Sequence, residues 1–284
     1  MRLKRKIEVV VISDVHLGTH GCNASELLTY LNSIAPKKLV LNGDIIDIWQ
    51  FNKRYFPAAH LKVLKKIIDM AAAGTEVIYV TGNHDELLRK FNDTHIGNIS
   101  IVNKVVLELD GKRAWIFHGD IFDIAIQKAK WLAKLGGYGY DILILINRFV
   151  NWWLVKLGRD RLSISKKIKN KVKKAIKHIH DFEMVSSELA IEKGFDYVIC
   201  GHIHQPKMET KETKNGSTTY LNSGDWIENL TALEYQFKRW KIYHYNADKL
   251  MPFYPDDEPV DLSRNHLVAA LTVIDPKKSG ILEK

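Results

Sequence analysis

VIYVTGNHDE, Val77–Glu86, carries two messages in one short run. Val77–Val80 is all β-branched or aromatic with no polar break, which reads as a strand buried on both faces. Thr81-Gly82 then turns the chain and presents Asn83, His84 and Asp85. Alone, Gly-Asn is ordinary turn chemistry and His84 an ordinary surface imidazole. The same arrangement recurs, however, and the recurrence decides the fold. Ile7–Ile12 runs into SDVH (Ser13–His16), and Leu39–Leu41 into NGDIID (Asn42–Asp47). Ala114–Phe117 runs into HGD (His118–Asp120), and Tyr197–Cys200 into GHIH (Gly201–His204). Helix-like stretches at Ser25–Ile34 and Ala58–Ala73 lie between them. Strands alternating with helices predict an α/β sandwich that gathers its ligands at the carboxyl ends of the strands. LDGKR (Leu109–Arg113) predicts a hairpin, and therefore a mixed sheet.

A chain of 284 residues accommodates one large α/β domain with an insertion, or two domains. Hydrophobic content of 46% with 26% charged residues is that of a folded protein. The net charge of +9 predicts attraction to polyanions without choosing among nucleic acid, anionic lipid and phosphorylated substrate. Cys22 and Cys200 are far apart with no CxxC, so neither a disulfide framework nor a zinc knuckle is expected, and a reducing cytosol fits. MRLKRKIEVVVISDVH begins like a secretory leader, but its apolar run is short and leads directly into Asp14 and His16. It reads as a first strand.

Residues 122–181 break the pattern. DILILINRFVNWWLVKLG (Asp141–Gly158) is apolar, but Asn147, Arg148, Asn151 and Lys156 argue against a membrane-spanning helix, which needs about 18 apolar residues. In the following SISKKIKNKVKKAIKHIH, one helical face carries Ile164, Ile168, Val172, Ala175, Ile176 and Ile179, and seven lysines cover the rest. Such a helix lies on an anionic membrane, or packs its apolar face on the core. With Trp152 and Trp153 beside it, the segment reads as a helical cap insertion. The expected layout is a core formed by 1–121 and 182–250, a cap at 122–181, and a tail at 251–284.

Asp14, His16, Asp44, Asn83, His118, His202 and His204 all follow strands, and imidazole with carboxylate suits borderline divalent ions. Seven ligands are too many for one tetrahedral ion. With Asp44 shared they divide into four contacts for each of two ions, with room for a bridging hydroxide. Two ions roughly 3.5–4 Å apart clamp an in-line displacement at phosphorus.

The series SDVH, GDIID, GNHDE, HGD and GHIH resembles the calcineurin-like metallophosphoesterase superfamily, over nearly all of Ile12 to His204. The resemblance implies a four-layer α/β/β/α sandwich. It implies one metal on Asp14, His16 and His204, a second on Asn83, His118 and His202, and Asp44 bridging them. It also implies that His84 protonates the leaving group, with Asp85 beside it to orient and charge the imidazole. GDIIDIW (Gly43–Trp49), the helical insertion, GHIHQP (Gly201–Pro206) and NSGDWIEN (Asn222–Asn229) are similar to the UDP-2,3-diacylglucosamine diphosphatase branch of lipid A synthesis. That likeness implies a lid with a chamber for acyl chains, hydrolysis to UMP and a diacylated sugar 1-phosphate, and a peripheral place on the cytoplasmic face of the inner membrane.

The branch generally has Arg where this chain has His84. Arg holds phosphate bidentately but does not readily give up a proton, whereas His does so near neutral pH. The reaction class is unaffected and the substrate is left open. A general phosphodiesterase or phosphatase is the alternative, as is a nuclease with the lysine helix on backbone phosphates. Against the nuclease, the lysines are interleaved with aliphatics rather than with aromatic stacking platforms. Mn²⁺ is the expected ion, though the same ligands admit Fe, Zn or Mg. Trp152, Trp153, Lys167 and Lys171 are candidate substrate contacts in the cap. Asp47 and Asp120 are candidate outer partners of the histidines, or plain caps and surface acids. His20, Asn222 and Asp225 are weaker candidates near the site.

Overall fold

The computed structural model describes residues 4–48, 55–125, 179–180 and 182–248. Along β1 (Arg5–Ile12) side chains leave the sheet on alternate faces, and both faces are apolar. Val9 and Val11 go one way, Val10 and Ile12 the other. The same division holds in β2 (Ile34–Asn42), with Val40 opposite Leu39 and Leu41, and in β3 (Glu76–Val80), with Ile78 and Val80 opposite Val77 and Tyr79. Strands buried on both faces need a layer on each side. On one side Leu27, Tyr30 and Leu31 of α1 (Ala24–Ser33) and Val63, Ile67 and Met70 of α2 (Ala58–Ala72) cover the sheet.

On the other side lies a second sheet. The remaining strands are β4 (Thr94–Ile96), β5 (Ile99–Val102), β6 (Lys104–Leu109), β7 (Lys112–Phe117), β8 (Tyr197–Cys200), β9 (Lys207–Thr213), β10 (Gly216–Asn222), β11 (Thr231–Gln236) and β12 (Arg239–His244). The first sheet runs β12-β11-β1-β2-β3-β5-β4, and the second β6-β7-β8-β10-β9. β1, β2, β3 and β5 are parallel, as are β7, β8 and β10, while the outer strands are antiparallel. Ala114, Ile116, Ile199 and Leu221 face the first sheet. Trp115, Phe117, Val198, Cys200 and Tyr220 face outward against α3 (182–192) through Phe182 and Ala190. Each fully buried aliphatic side chain stabilises by about 1.5–3 kcal/mol, so three apolar interfaces hold four layers together. This is the expected α/β/β/α sandwich.

α1 ends one residue short of its apolar pattern. The Ser33 hydroxyl donates to the Tyr30 carbonyl, and Ile34 is already extended (φ −120°, ψ 157°) as the first residue of β2. The expected hairpin joins β6 to β7 through Asp110 (φ 52°) and Gly111 (φ 79°), the two left-handed positions of a type I′ turn. Strands from both sides of residues 122–181 interleave, since β8 pairs with β7 and β11 with β1.

Nearly all of the expected cap and all of the tail at 251–284 lie outside the described residues. So do Trp152, Trp153, Lys167 and Lys171. Among the described residues no helix is long and apolar enough to cross a membrane.

Candidate metal centre

The loops after β1, β2 and β8 share an unusual backbone. Asp14 (φ 52°), His16 (53°), Asp44 (54°), His202 (69°) and His204 (55°) are all left-handed. Residues with a Cβ rarely adopt that region, and such positions cost about 1–3 kcal/mol each when the surroundings impose them. The turns fold back at once, so the Asp14–His16 and His202–His204 pairs converge instead of running on along a strand. Backbone bonds lock them: Asp14 N–H donates to Gly43 O (3.1 Å), His16 N–H to Asp44 O (2.9 Å), and Gly201 N–H to His118 O (3.0 Å). Two glycines make room. A Cβ on Gly43 (φ 80°) would collide with the His118 imidazole, and one on Gly82 with the Asp44 carboxylate.

Three groups of ligand atoms result, each with its members within 4.8 Å of one another: Asp14/His16/His204, His16/Asp44/His84 and Asp44/His118/His202. His16 and Asp44 link the groups into one centre. Asp14 Oδ1 is 3.1 Å from His204 Nε2, and the carboxylate also accepts the His202 amide at 2.9 Å. Asp44 Oδ2 is 3.3 Å from His118 Nε2 and 3.9 Å from the Nε2 atoms of both His16 and His84. Asp44 Oδ1 accepts the His84 amide at 2.8 Å. Asn83, half-buried, lies in the same loop.

The imidazoles are set for cations. His118 Nδ1 donates to Asn42 O at 2.8 Å, and His16 Nδ1 meets Asp47 Oδ2 at 3.3 Å, so in each ring Nε2 is left as the lone-pair atom. Both Nε2 atoms are buried and make no hydrogen bond, although carboxylate oxygens stand nearby. Lone pairs and carboxylates that converge without bonding one another fit divalent ions between them.

Without metal the neighbouring carboxylates favour a proton on His118 and His204. Burial disfavours charge on His118, but Asp44 and then Asp14 outweigh it and lift its pKa to about 10. His204 is likewise raised, against burial, chiefly by Asp14. Despite burial, His204 and His118 hold Asp14 low, and His118 and His16 hold Asp44 low. A histidine raised in the folded state stabilises fully below its unfolded pKa of about 6.5. That contribution is lost as pH rises through the folded value, for His118 about 10. Chelated protein is therefore expected to melt progressively lower as pH rises across that window, while protein loaded with a divalent metal loses less because metal replaces the proton. Melting curves of both forms at several pH values check this; a flat metal-free profile would count against it.

Asp85 requires a correction. Expected beside the His84 imidazole, its carboxylate instead accepts from the Tyr79 hydroxyl (2.6 Å), the Gly82 amide (2.6 Å) and the Ile45 amide (3.0 Å). Capping the Gly82 amide three residues back turns the side chain inward, and Asp85 is fully buried. The carboxylate at His84 is that of Asp47, whose Oδ2 is 3.0 Å from His84 Nδ1. One acid is thus hydrogen-bonded to His16 and within ion-pair range of His84. Asp120 pairs with Arg89 rather than with a histidine. Asp225 Oδ2 stands 3.8 Å from His204 Nδ1, its Oδ1 accepting the amides of Ile227, Glu228 and Asn229. Asn222 Nδ2 donates to Gly201 O at 2.8 Å, and the His20 ring lies tilted against Tyr55, centroids 3.7 Å apart, outside the candidate ligand groups.

Residues 7–206 match the model of the calcineurin-like phosphoesterases. The match covers well over half of the chain, which belongs to that family and is a metal-dependent hydrolase. It is similar to the UDP-2,3-diacylglucosamine hydrolase of Aliivibrio fischeri (strain MJ11), 25% identical over 83% of this chain and 97% of that protein. The enzyme of the same name from Hahella chejuensis is 24% identical over 76% of this chain and 88% of its own. Among solved structures, the phosphoesterase Yfce from E. coli aligns with a TM-score of 0.43 at 14% identity, covering 84% of this chain and 93% of that one.

Proposed function

We propose that the protein hydrolyses the diphosphate of UDP-2,3-diacylglucosamine or of a related lipid-linked nucleotide sugar. Water adds across the P–O–P bond and releases UMP and a diacylated sugar 1-phosphate. The observation that carries this reading is the match to UDP-2,3-diacylglucosamine hydrolases over nearly their whole length, up to 97%.

Asp14, His16 and His204 would hold one divalent ion and Asn83, His118 and His202 a second, with Asp44 shared, and Mn²⁺ is the ion we assign. Such ions supply Lewis acidity at phosphoryl oxygens and make water a better nucleophile near neutral pH. The chain itself supplies the proton. His84 keeps Nδ1 at Asp47 and turns Nε2 towards Asp44, so a proton on Nε2 is available to the departing phosphate oxygen. The reading assigns the acyl chains to residues 122–181, with Trp152, Trp153, Lys167 and Lys171 as contacts. It assigns the lysine run at 166–177 to an anionic membrane on the cytoplasmic face.

The test is to supply the Mn²⁺-loaded protein in parallel with UDP-2,3-diacylglucosamine, bis-p-nitrophenyl phosphate and single-stranded DNA. Release of UMP from the nucleotide lipid is expected. Cleavage of the model diester without UMP release would leave a general phosphodiesterase, and degradation of the DNA alone a nuclease.

A further inference from the structure

Phe182 lies in α3 and is buried, 3% exposed, in the apolar cluster that seals this helix to the second sheet. Gly119, directly after His118, has φ 118°, and a Cβ built there would stand 2.7 Å from Phe182 Cζ and 3.5 Å from His202 Cβ. The phenyl ring therefore lies on the Gly119 backbone, between the loop that carries His118 and the loop that carries His202. Its centroid is 6.5 Å from the His202 imidazole, which meets His118 edge-on at 5.1 Å. Phe122, from the turn after His118, meets Phe182 edge-on at 5.5 Å.

The ring is itself held in place. The buried Glu183 carboxylate accepts from Lys207 Nζ at 2.6 Å, and Lys211 Nζ stands 3.5 Å away. Lys207 begins β9, three residues after His204. The Ser186 and Ser187 hydroxyls donate back to the Glu183 carbonyl at 3.1 and 2.7 Å. A buried acid that depends on its partner in this way pins this stretch of the helix, and the phenyl ring with it. Elsewhere in the centre carboxylates steer the imidazoles, Asp47 at His16 and Asp225 near His204. His118 is fixed instead by the Asn42 carbonyl, and aromatic packing joins it around His118 and His202.

We infer that Phe182 is a positioning residue for the pocket of Asp44, His118 and His202, setting the spacing of the two imidazoles. It acts through the histidines, as outer groups around metal ligands do. The inference rests on the two-ion reading above.

Mn²⁺ titration by calorimetry, with bound metal counted per chain, tests it on wild type, Phe182→Ala, Phe182→Leu and Phe195→Leu. Phe195 belongs to the same buried cluster and stacks on Trp115 at 5.4 Å, so it controls for general loosening. Wild type is expected to hold two ions. Phe182→Ala should weaken one of them by about 10–100-fold and spare the other, and Phe182→Leu should do the same to a smaller degree. Phe195→Leu should keep both. If Phe182→Ala does not fold, Phe182→Leu decides. Two ions held alike by wild type and Phe182→Leu, or equal weakening of both sites in the Phe182 and Phe195 variants, would overturn this inference alone. A single ion in wild type would overturn the two-ion reading and this inference with it.

Discussion

Asp44→Asn is expected to hydrolyse at the background rate and to lose metal from both halves of the centre. Asp44 is the carboxylate that the His16/His84 and His118/His202 groups share. Its Oδ2 lies 3.3 Å from His118 Nε2 and 3.9 Å from His16 Nε2, while Oδ1 accepts the His84 amide at 2.8 Å. Asparagine is the informative replacement because it tolerates the left-handed backbone that Asp44 adopts at φ 54° and keeps nearly the same shape. Only the charge is removed. Without it burial prevails at His118, whose raised pKa rests first on Asp44, and on the two-ion proposal the pocket loses the negative group that balances both cations. The loss of metal affinity should exceed the roughly 10–100-fold that changes outside the ligand set produce. Metal content by elemental analysis and turnover on a phosphodiester check this together. Retention of both ions at wild-type affinity would remove Asp44 from the shared position.

How much of this was legible in the sequence depends on the range of the interaction. The layers were legible because period-2 burial is local: Val9 and Val11 against Val10 and Ile12 already require one layer on each side. The loops that bring the candidate ligand groups together were legible because each follows its strand directly. The identity of the acid at His84 was not. Asp85 is adjacent in sequence, but the turn that exposes His84 needs an acceptor for the Gly82 amide, and Asp85 is the side chain in reach. Asp47 arrives from the loop after another strand, and the parallel pairing of β2 with β3 brings it alongside. Phe182 was hidden for a similar reason. Its neighbours Gly119 and His202 are distant in sequence, and an apolar residue in a helix carries no mark of what it packs against. Left-handed backbone at five candidate ligand positions was equally silent, because none of them is glycine.

His84→Ala should lower kcat by about 10²–10⁴-fold while leaving metal content and melting temperature near wild type. The argument is a separation of roles among three neighbouring groups. His84 is part exposed, with a side chain at 15%, and its removal empties little of the core. Its imidazole is placed by Asp47 at 3.0 Å, so Asp47→Asn should also lower turnover, by about 10–100-fold, and weaken metal binding slightly through His16. Asp85→Ala should behave differently. It leaves the Tyr79 hydroxyl and the Gly82 and Ile45 amides without their acceptor, each costing about 1–3 kcal/mol where water does not replace it. The result is a large fall in denaturant midpoint, with the activity loss tracking the unfolded fraction. Turnover, metal content and unfolding midpoints measured on all three variants discriminate the roles. Loss of both ions from His84→Ala would make that residue structural. A fully folded Asp85→Ala protein as inactive as His84→Ala would return Asp85 to the chemistry and displace Asp47 as the acid that sets the imidazole.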